Sequence, residues 1–351
     1  MWVENRCNES GKSPDITERY KDLENPLFIL ILSNSDTGVI PGISGAGSAT
    51  HYIQYTPAAD AEIVSNGKLS TIEVMSNAQS GAVTPAVLTR AALNLSQTDH
   101  ILINAGLKIV PGVPYYDLKA ECGKDIRFPP TVRDPLAILE ASKKLAKHLD
   151  CDLAVIGETI PGGTTTALCV LRALGYEANV SSSFSRNPVA LKEKVVAEAM
   201  KKASVDVGDL VSDPIKAIEL FGDPMIPCAV GLVEGFSFSG SEVVLAGGTQ
   251  MGAVIAALRA RDHSTEVVLA TTKYVFDDVS AHFSELVKAL QVDAFCAYPD
   301  FSRSPFAALR KYELGEVKEG VGAGGAMALA CSRGFSRKDY KRAVQTVIKQ
   351  L

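Results

Sequence analysis

Apolar positions along this chain fall into short unbroken runs separated by longer stretches with helical spacing. Residues 27–33 form a run of strand length, and the Gly-, Ser- and Ala-rich stretch 38–50 follows as a loop. Residues 51–99 show no clean period, although 83–95 has the spacing of a helix. Beyond Asp99 the pattern clears. Strands at 101–104 and 153–157 alternate with helices at 135–149 and 165–174, and helices at 188–202 and 213–221 then follow with no strand between them. Strands at 242–246, 266–270 and 292–297, with helices at 250–261 and 279–290, resume the alternation. Apolar strands joined through helices predict crossover units and an α/β fold built on a parallel sheet. The last stretch, 336–351, spaces Tyr340, Val344, Val347, Ile348 and Leu351 along one helical face with basic residues between them. Residues 1–26 are polar and charge-rich and read as a surface helix or arm.

Composition narrows the class. With 351 residues, 46% hydrophobic and 21% charged, the chain has material for one large α/β domain with an appendage, or for two domains. Lys and Arg number 35 against 40 Asp and Glu, a net charge of −5 with no basic run, which argues against a nucleic-acid surface. The most apolar run, 27–32, is far short of the roughly 18 to 20 residues of a membrane span. No charged leader with a cleavage site precedes it, so a soluble cytoplasmic protein without a membrane partner is expected. The seven cysteines (Cys7, Cys122, Cys151, Cys169, Cys228, Cys296, Cys331) are scattered without a C-x-x-C pair, so structural zinc is not expected. Their odd number suits a reducing compartment. The five histidines (His51, His100, His148, His263, His282) are isolated, and no Ser-His-Asp order emerges.

Candidate chemistry gathers where glycine meets a strand end. The first segment is Gly157-Glu158-Thr159-Ile160-Pro161-Gly162-Gly163-Thr164-Thr165, running from a buried strand into a helix. Free backbone N–H groups and a positive dipole end there suit a phosphate, and Glu158 emerges at the carboxyl end of the strand, where doubly wound sheets hold ligands. A plain turn with Thr164 or Thr165 as helix cap is the other reading. The second segment, ending Gly247-Gly248-Thr249-Gln250, repeats the arrangement; the glycines allow close approach and Gln250 offers both a donor and an acceptor.

The third segment, Lys318-Glu319-Gly320-Val321-Gly322-Ala323-Gly324-Gly325, contains the spacing G-x-G-x-x-G. Charged residues rather than a buried strand precede it, and the chain ends too soon for the crossover unit of a dinucleotide site. Gly42, Gly45 and Gly47 have the spacing in the wrong order, and no P-loop pattern occurs. What the third segment does offer is a carboxylate, Glu319, beside a glycine ribbon, a general-base candidate where a solvated surface residue is the plainer reading. Lys194, on a helix with Lys192 and Glu193, says little by itself.

Taken in order, these segments resemble the CobT-type nicotinate-nucleotide:dimethylbenzimidazole phosphoribosyltransferases of cobamide lower-ligand assembly. The family's G-E-M-G-I-G-N-T-T is similar to residues 157–165, its L-x-x-K lysine to Lys194 in Leu191-Lys192-Glu193-Lys194, and its G-E-G-T-G-A to residues 318–323. The likeness runs from about residue 150 to 330. The bacterial D-H-G-V signature is absent from the first half, Gly163 stands for the family's Asn, and Lys318 stands for the glycine before the acid, as in a divergent, archaeal-like branch. Glu316, in Leu314-Gly315-Glu316, offers a second register for that acid; Gly-Val-Gly-Ala favours Glu319.

The resemblance implies a Rossmann-like parallel sheet flanked by helices over 27–330, with a smaller helical part from 1–26 and 331–351, assembled as a homodimer. It implies transfer of 5-phosphoribose from nicotinate mononucleotide to a benzimidazole-like base, with nicotinate leaving, inversion to an α-ribosyl product, and neither metal nor cofactor. Glu319 would be the general base and Glu158 would face the ribose or the anomeric carbon. Gly162, Gly163, Thr164, Thr165, Lys194, Gly247, Gly248, Thr249, Gln250, Gly320 and Gly322 would bind substrate, with base-pocket residues somewhere in 76–84. A non-catalytic nucleotide or cobamide-precursor binding protein and an NAD-dependent oxidoreductase using Gly320–Gly325 are the rival classes.

Overall fold

The computed structural model describes residues 1–6, 15–70, 72–73, 75, 77–261 and 265–351. Cys7, Ser76 and His263 lie outside them. Eight strands form a single sheet: β1 (Val3–Asn5), β2 (Pro26–Leu32), β3 (Asp99–Asn104), β4 (Tyr116–Asp117), β5 (Leu153–Thr159), β6 (Glu242–Ala246), β7 (Val268–Thr272) and β8 (Asp293–Ala297). They lie in the order β1-β8-β7-β6-β5-β2-β3-β4, all pairs parallel except β1 with β8. This is the α/β architecture expected from the alternation of strand and helix patterns.

Helices cover both faces, which is why the central strands are apolar without a break. Ile29, Ile31, Ala154, Ile156, Val243 and Leu245 point into one core, with helices Pro135–Ala146, Gly163–Ala173, Met225–Phe238 and Gln250–Ala260. Phe28, Leu30, Leu32, Leu153, Val155, Val244 and Ala246, the alternate positions, point into the other, with helices Pro85–Ser96, Ala323–Ser332 and Arg337–Ile348. The chain leaves β2 toward β3 and β4, then returns to β5 and builds outward through β6, β7 and β8. Strand order therefore reverses between β2 and β5, and the loops after these two strands part company at their carboxyl ends. Such a switch point is where an open α/β sheet leaves a crevice.

The polar N-terminal stretch differs from the surface arm expected of it. Val3–Asn5 pairs with β8, and Trp2, Val3, Ile16 and Tyr20 are buried. The Trp2 ring stacks on Tyr340 at 5.0 Å and its indole N–H donates to the Phe335 carbonyl at 2.9 Å, tying the first residues to the last helix. Two helices escaped the sequence pattern, Thr56–Asn66 and Met225–Phe238, and both are buried nearly all round. Among the described residues no helix is long and apolar enough to cross a membrane.

Candidate active site

One hollow opens over the switch point, with about 840 Å³ of empty space continuous with solvent. Its floor is the end of β5. Because side chains alternate along a strand, Glu158 and Thr159 leave that end on opposite faces of the sheet. Glu158 accepts from the Gln250 amide, and Thr159 donates to Asp60 at 2.8 Å. Burial pushes the Glu158 carboxyl up to about 8 against the Gln250 hydrogen bond, with Asp223 and Glu319 adding repulsion.

The loop ahead of helix Ala323–Ser332 brings Glu319 to the same hollow. The small residues after Glu319 seat that helix directly on the strands. A Cβ at Gly157 would lie 2.7 Å from the Gly322 Cα, and one at Gly324 only 2.5 Å from the Thr271 backbone. The glycines at 322, 324 and 325 thus serve close packing, and Gly322 does not line the cavity. The loop itself is tied down by Val321 N–H donating to the Glu158 carbonyl at 2.8 Å, Thr89 Oγ1 donating to the Val321 carbonyl at 2.8 Å, and Thr272 Oγ1 donating to the Lys318 carbonyl. Val317 and Val321, on either side of Glu319, hold φ of +53° and +55°, a region that a β-branched residue enters only under constraint.

Glu319 Oε1 accepts from the Gly320 and Gly324 N–H groups at 3.2 and 3.1 Å, so this acid occupies its own helix N-terminus. Its Oε2 is buried and, among the described residues, has no hydrogen-bond partner. Burial raises the carboxyl to about 7 in spite of those N–H groups. Near neutral pH it is poised to give or take a proton.

Another part of the lining is polar. Helix Gly163–Ala173 starts there with no side-chain cap, and Gly162, Gly163 and Thr164 line the wall. Facing them are Ser181, Ser182 and Ser183, a loop held from behind by two buried lysines. Lys192 Nζ donates to Thr164 Oγ1 at 3.0 Å and to the Ser181 carbonyl at 2.5 Å. Lys318 Nζ donates to the Ser182 and Phe184 carbonyls at 3.0 and 2.6 Å and lies 3.4 Å from Asp278. Burial pulls the Lys192 ammonium down to about 7, and burial likewise lowers that of Lys318, with Asp278 opposing in both.

Of the residues singled out in the sequence, Glu158, Gly162, Gly163, Thr164, Gly248, Gln250, Glu319 and Gly320 line this one hollow. Thr165 is buried behind it, Gly247 packs on Met251, and the Thr249 hydroxyl accepts from the Ser181 N–H at 3.0 Å without reaching the cavity. Glu316 does not line it. Lys194 is exposed to solvent, and the lysine that reaches this part of the hollow's wall is Lys192. The spacing held the signal: Lys192, Val195, Val196, Ala199 and Met200 form the buried stripe of their helix, and a lysine at the head of an apolar stripe is the informative one. In 76–84, Ala78 and Thr84 line the cavity. Asp60, Lys318 and Ser181–Ser183 were not anticipated. Among the described residues no cluster of His, Cys, Asp and Glu is suited to hold a metal ion.

No family model matches the chain. A UPF0284 protein of Methanosarcina acetivorans is 46% identical over 343 residues, covering 96% of this chain and 97% of its own length. One of Thermococcus gammatolerans is 42% identical over 329 residues, covering 93% and 98%, and UPF0284 protein SSO2213 of Saccharolobus solfataricus is 39% identical over 331 residues, covering 92% of each. Among solved structures, the nicotinate-nucleotide-dimethylbenzimidazole phosphoribosyltransferase of Thermus thermophilus matches with a TM-score of 0.61 at 15% identity, over 92% of this chain and 83% of that one. CobT from the same organism matches at 0.61 and 13% identity, over 98% and 93%. At such identities the likeness is one of fold.

Proposed function

This chain belongs to the UPF0284 protein family, and we propose that it is a phosphoribosyltransferase that moves 5-phosphoribose from nicotinate mononucleotide to a benzimidazole-like base. The observation that carries this reading is the single hollow at the switch point, whose lining brings together an anion-suited helix start and serine loop with a buried carboxylate, Glu319. Likeness in fold to the Thermus phosphoribosyltransferase supports it.

In this reading the phosphate rests on the N–H group of Thr164 and on the Ser181–Ser183 loop, with Lys192 and Lys318 supplying positive charge from behind. Glu158, largely protonated at neutral pH with its carboxyl near 8, hydrogen-bonds a ribose hydroxyl while Gln250 holds its other oxygen. The base enters beside Glu319. Glu319 Oε2 takes the N–H proton of the azole, and the lone pair on the other ring nitrogen forms the bond to the anomeric carbon. The bond from that carbon to the pyridinium nitrogen breaks, its electron pair neutralising the ring, and nicotinate leaves. The leaving group departs without needing an acid, so the work of the protein is orientation and removal of one proton. A homodimer in the cytoplasm is part of the same reading, and sedimentation velocity tests the oligomer.

Purified protein mixed with nicotinate mononucleotide and benzimidazole should release nicotinate and form the ribosylated base, as followed by chromatography. Binding of the nucleotide without product would establish the rival, a non-catalytic binding protein.

A further inference from the structure

One wall of the hollow has no task in the transfer described above. Helix Thr56–Asn66 presents Thr56 and Asp60 to the cavity, four residues apart and therefore on one face. Both are almost fully buried, at 5% and 2% exposure. The Asp60 carboxyl accepts from Thr84 Oγ1 at 2.6 Å and from Thr159 Oγ1 at 2.8 Å, so hydroxyls from two other elements orient it. The Thr56 hydroxyl is buried and, among the described residues, has no hydrogen-bond partner. A hydroxyl kept in that condition beside a hollow is matched by an occupant that can share a hydrogen with it. The wall is continuous with the acid loop, since a Cβ at Gly320 would lie 3.5 Å from Pro85, the neighbour of Thr84. Ile43, Ala46 and Ala78 add apolar lining to the same hollow.

Resting on the transfer reading, we infer that Thr56 and Asp60 select an acceptor base whose edge remote from Glu319 carries a hydrogen-bond donor, such as an amino group. A base whose remote edge carries only methyl groups is disfavoured. It would leave the Thr56 hydroxyl unmatched and set methyl groups against the Asp60 carboxyl.

Binding of 5-aminobenzimidazole and of 5,6-dimethylbenzimidazole to the full chain, measured by calorimetry, tests this apart from turnover. The amino base should bind about 10- to 100-fold more tightly, the worth of one hydrogen bond to a charged group. Thr56→Val and Asp60→Asn should each bring that ratio down to within about threefold. Thr56→Val removes a hydroxyl that the fold does not use, so it remains informative should Asp60→Asn fail to fold. Equal affinities in the unmodified protein, an unchanged ratio in Thr56→Val, or variants that weaken nicotinate mononucleotide in place of the bases would each overturn the inference. Release of nicotinate is scored separately. A preference for the amino base without release sinks the transfer and keeps the selective wall, release without preference does the reverse, and binding of neither base removes both.

Discussion

Replacing Glu319 with glutamine should pull activity and stability in opposite directions. The carboxyl titrates at about 7 in the folded chain against 4.5 for an unperturbed side chain. A raised carboxyl pKa means that the unfolded chain gives up its proton first, so stability conferred by the protonated form is complete below about 4.5 and is lost as pH rises through 7. Glutamine keeps the acceptor for the Gly320 and Gly324 N–H groups but cannot ionise. Its fixed cost or gain is the same at all pH values and cancels on comparing two of them. Between pH 5 and 8.5, the stability of Glu319→Gln relative to the parent should therefore improve by roughly 2–3 kcal/mol. Over the same change transfer should fall by about 10²- to 10⁴-fold, the usual contribution of a general base. Urea unfolding at the two pH values and nicotinate release provide the assays. A stability difference that is the same at both pH values would mean that the carboxyl is not desolvated, and near-parental transfer would remove it as the base.

Other expectations follow from the same geometry. Lys192→Met should raise the KM for nicotinate mononucleotide by about tenfold or more through loss of charge and of the grip on Thr164 and Ser181, whereas Lys194→Met, in solvent, should change it less than twofold; steady-state kinetics on both separates them. Because Lys192 titrates at about 7 in the empty site, arrival of a phosphate dianion should raise it, so binding at pH 8 should take up a proton; calorimetry in buffers of different ionisation enthalpy reads the number, and zero uptake contradicts the assignment. Gly325→Ala would drive its Cβ into that of Ala246 and should destabilise the fold by about 1–3 kcal/mol, with transfer falling as the Glu319 loop lifts; an unchanged urea midpoint would show that the helix has slack.

What could be read from the sequence, and what could not, follows from where each segment lies. β5 is buried on both faces, so its first five residues form an apolar run that stops at a carboxylate, and the strand end with its acid was legible. Helix Thr56–Asn66 forms one wall of the cavity and buries Asp60 and Glu62 with its alanines, so no polar face alternates with an apolar one. Met225–Phe238 is apolar around most of its circumference, Glu234 and Ser237 aside, and has Pro227 in its first turn, features that erase helical spacing and mimic a break. Lys192 and Lys194 are two positions apart, about 200° around a helix axis, so a match shifted by two residues moved the chosen amine from the wall of the hollow into water. Ser181–Ser183 and Lys318 meet only through the tertiary fold, and nothing local announces them.

The two valines in left-handed conformation, and the helix seated on the strands by glycine, leave the acid with nowhere to move. The walls that would greet the heterocycle, from Ile43 to Pro85, come from separate stretches of chain. On the proposed transfer, chemistry and choice of substrate are thus carried by different pieces of polypeptide. Relatives or designed variants can exchange the greeting surface, one residue at a time, while the reacting carboxylate stays where the sheet has put it.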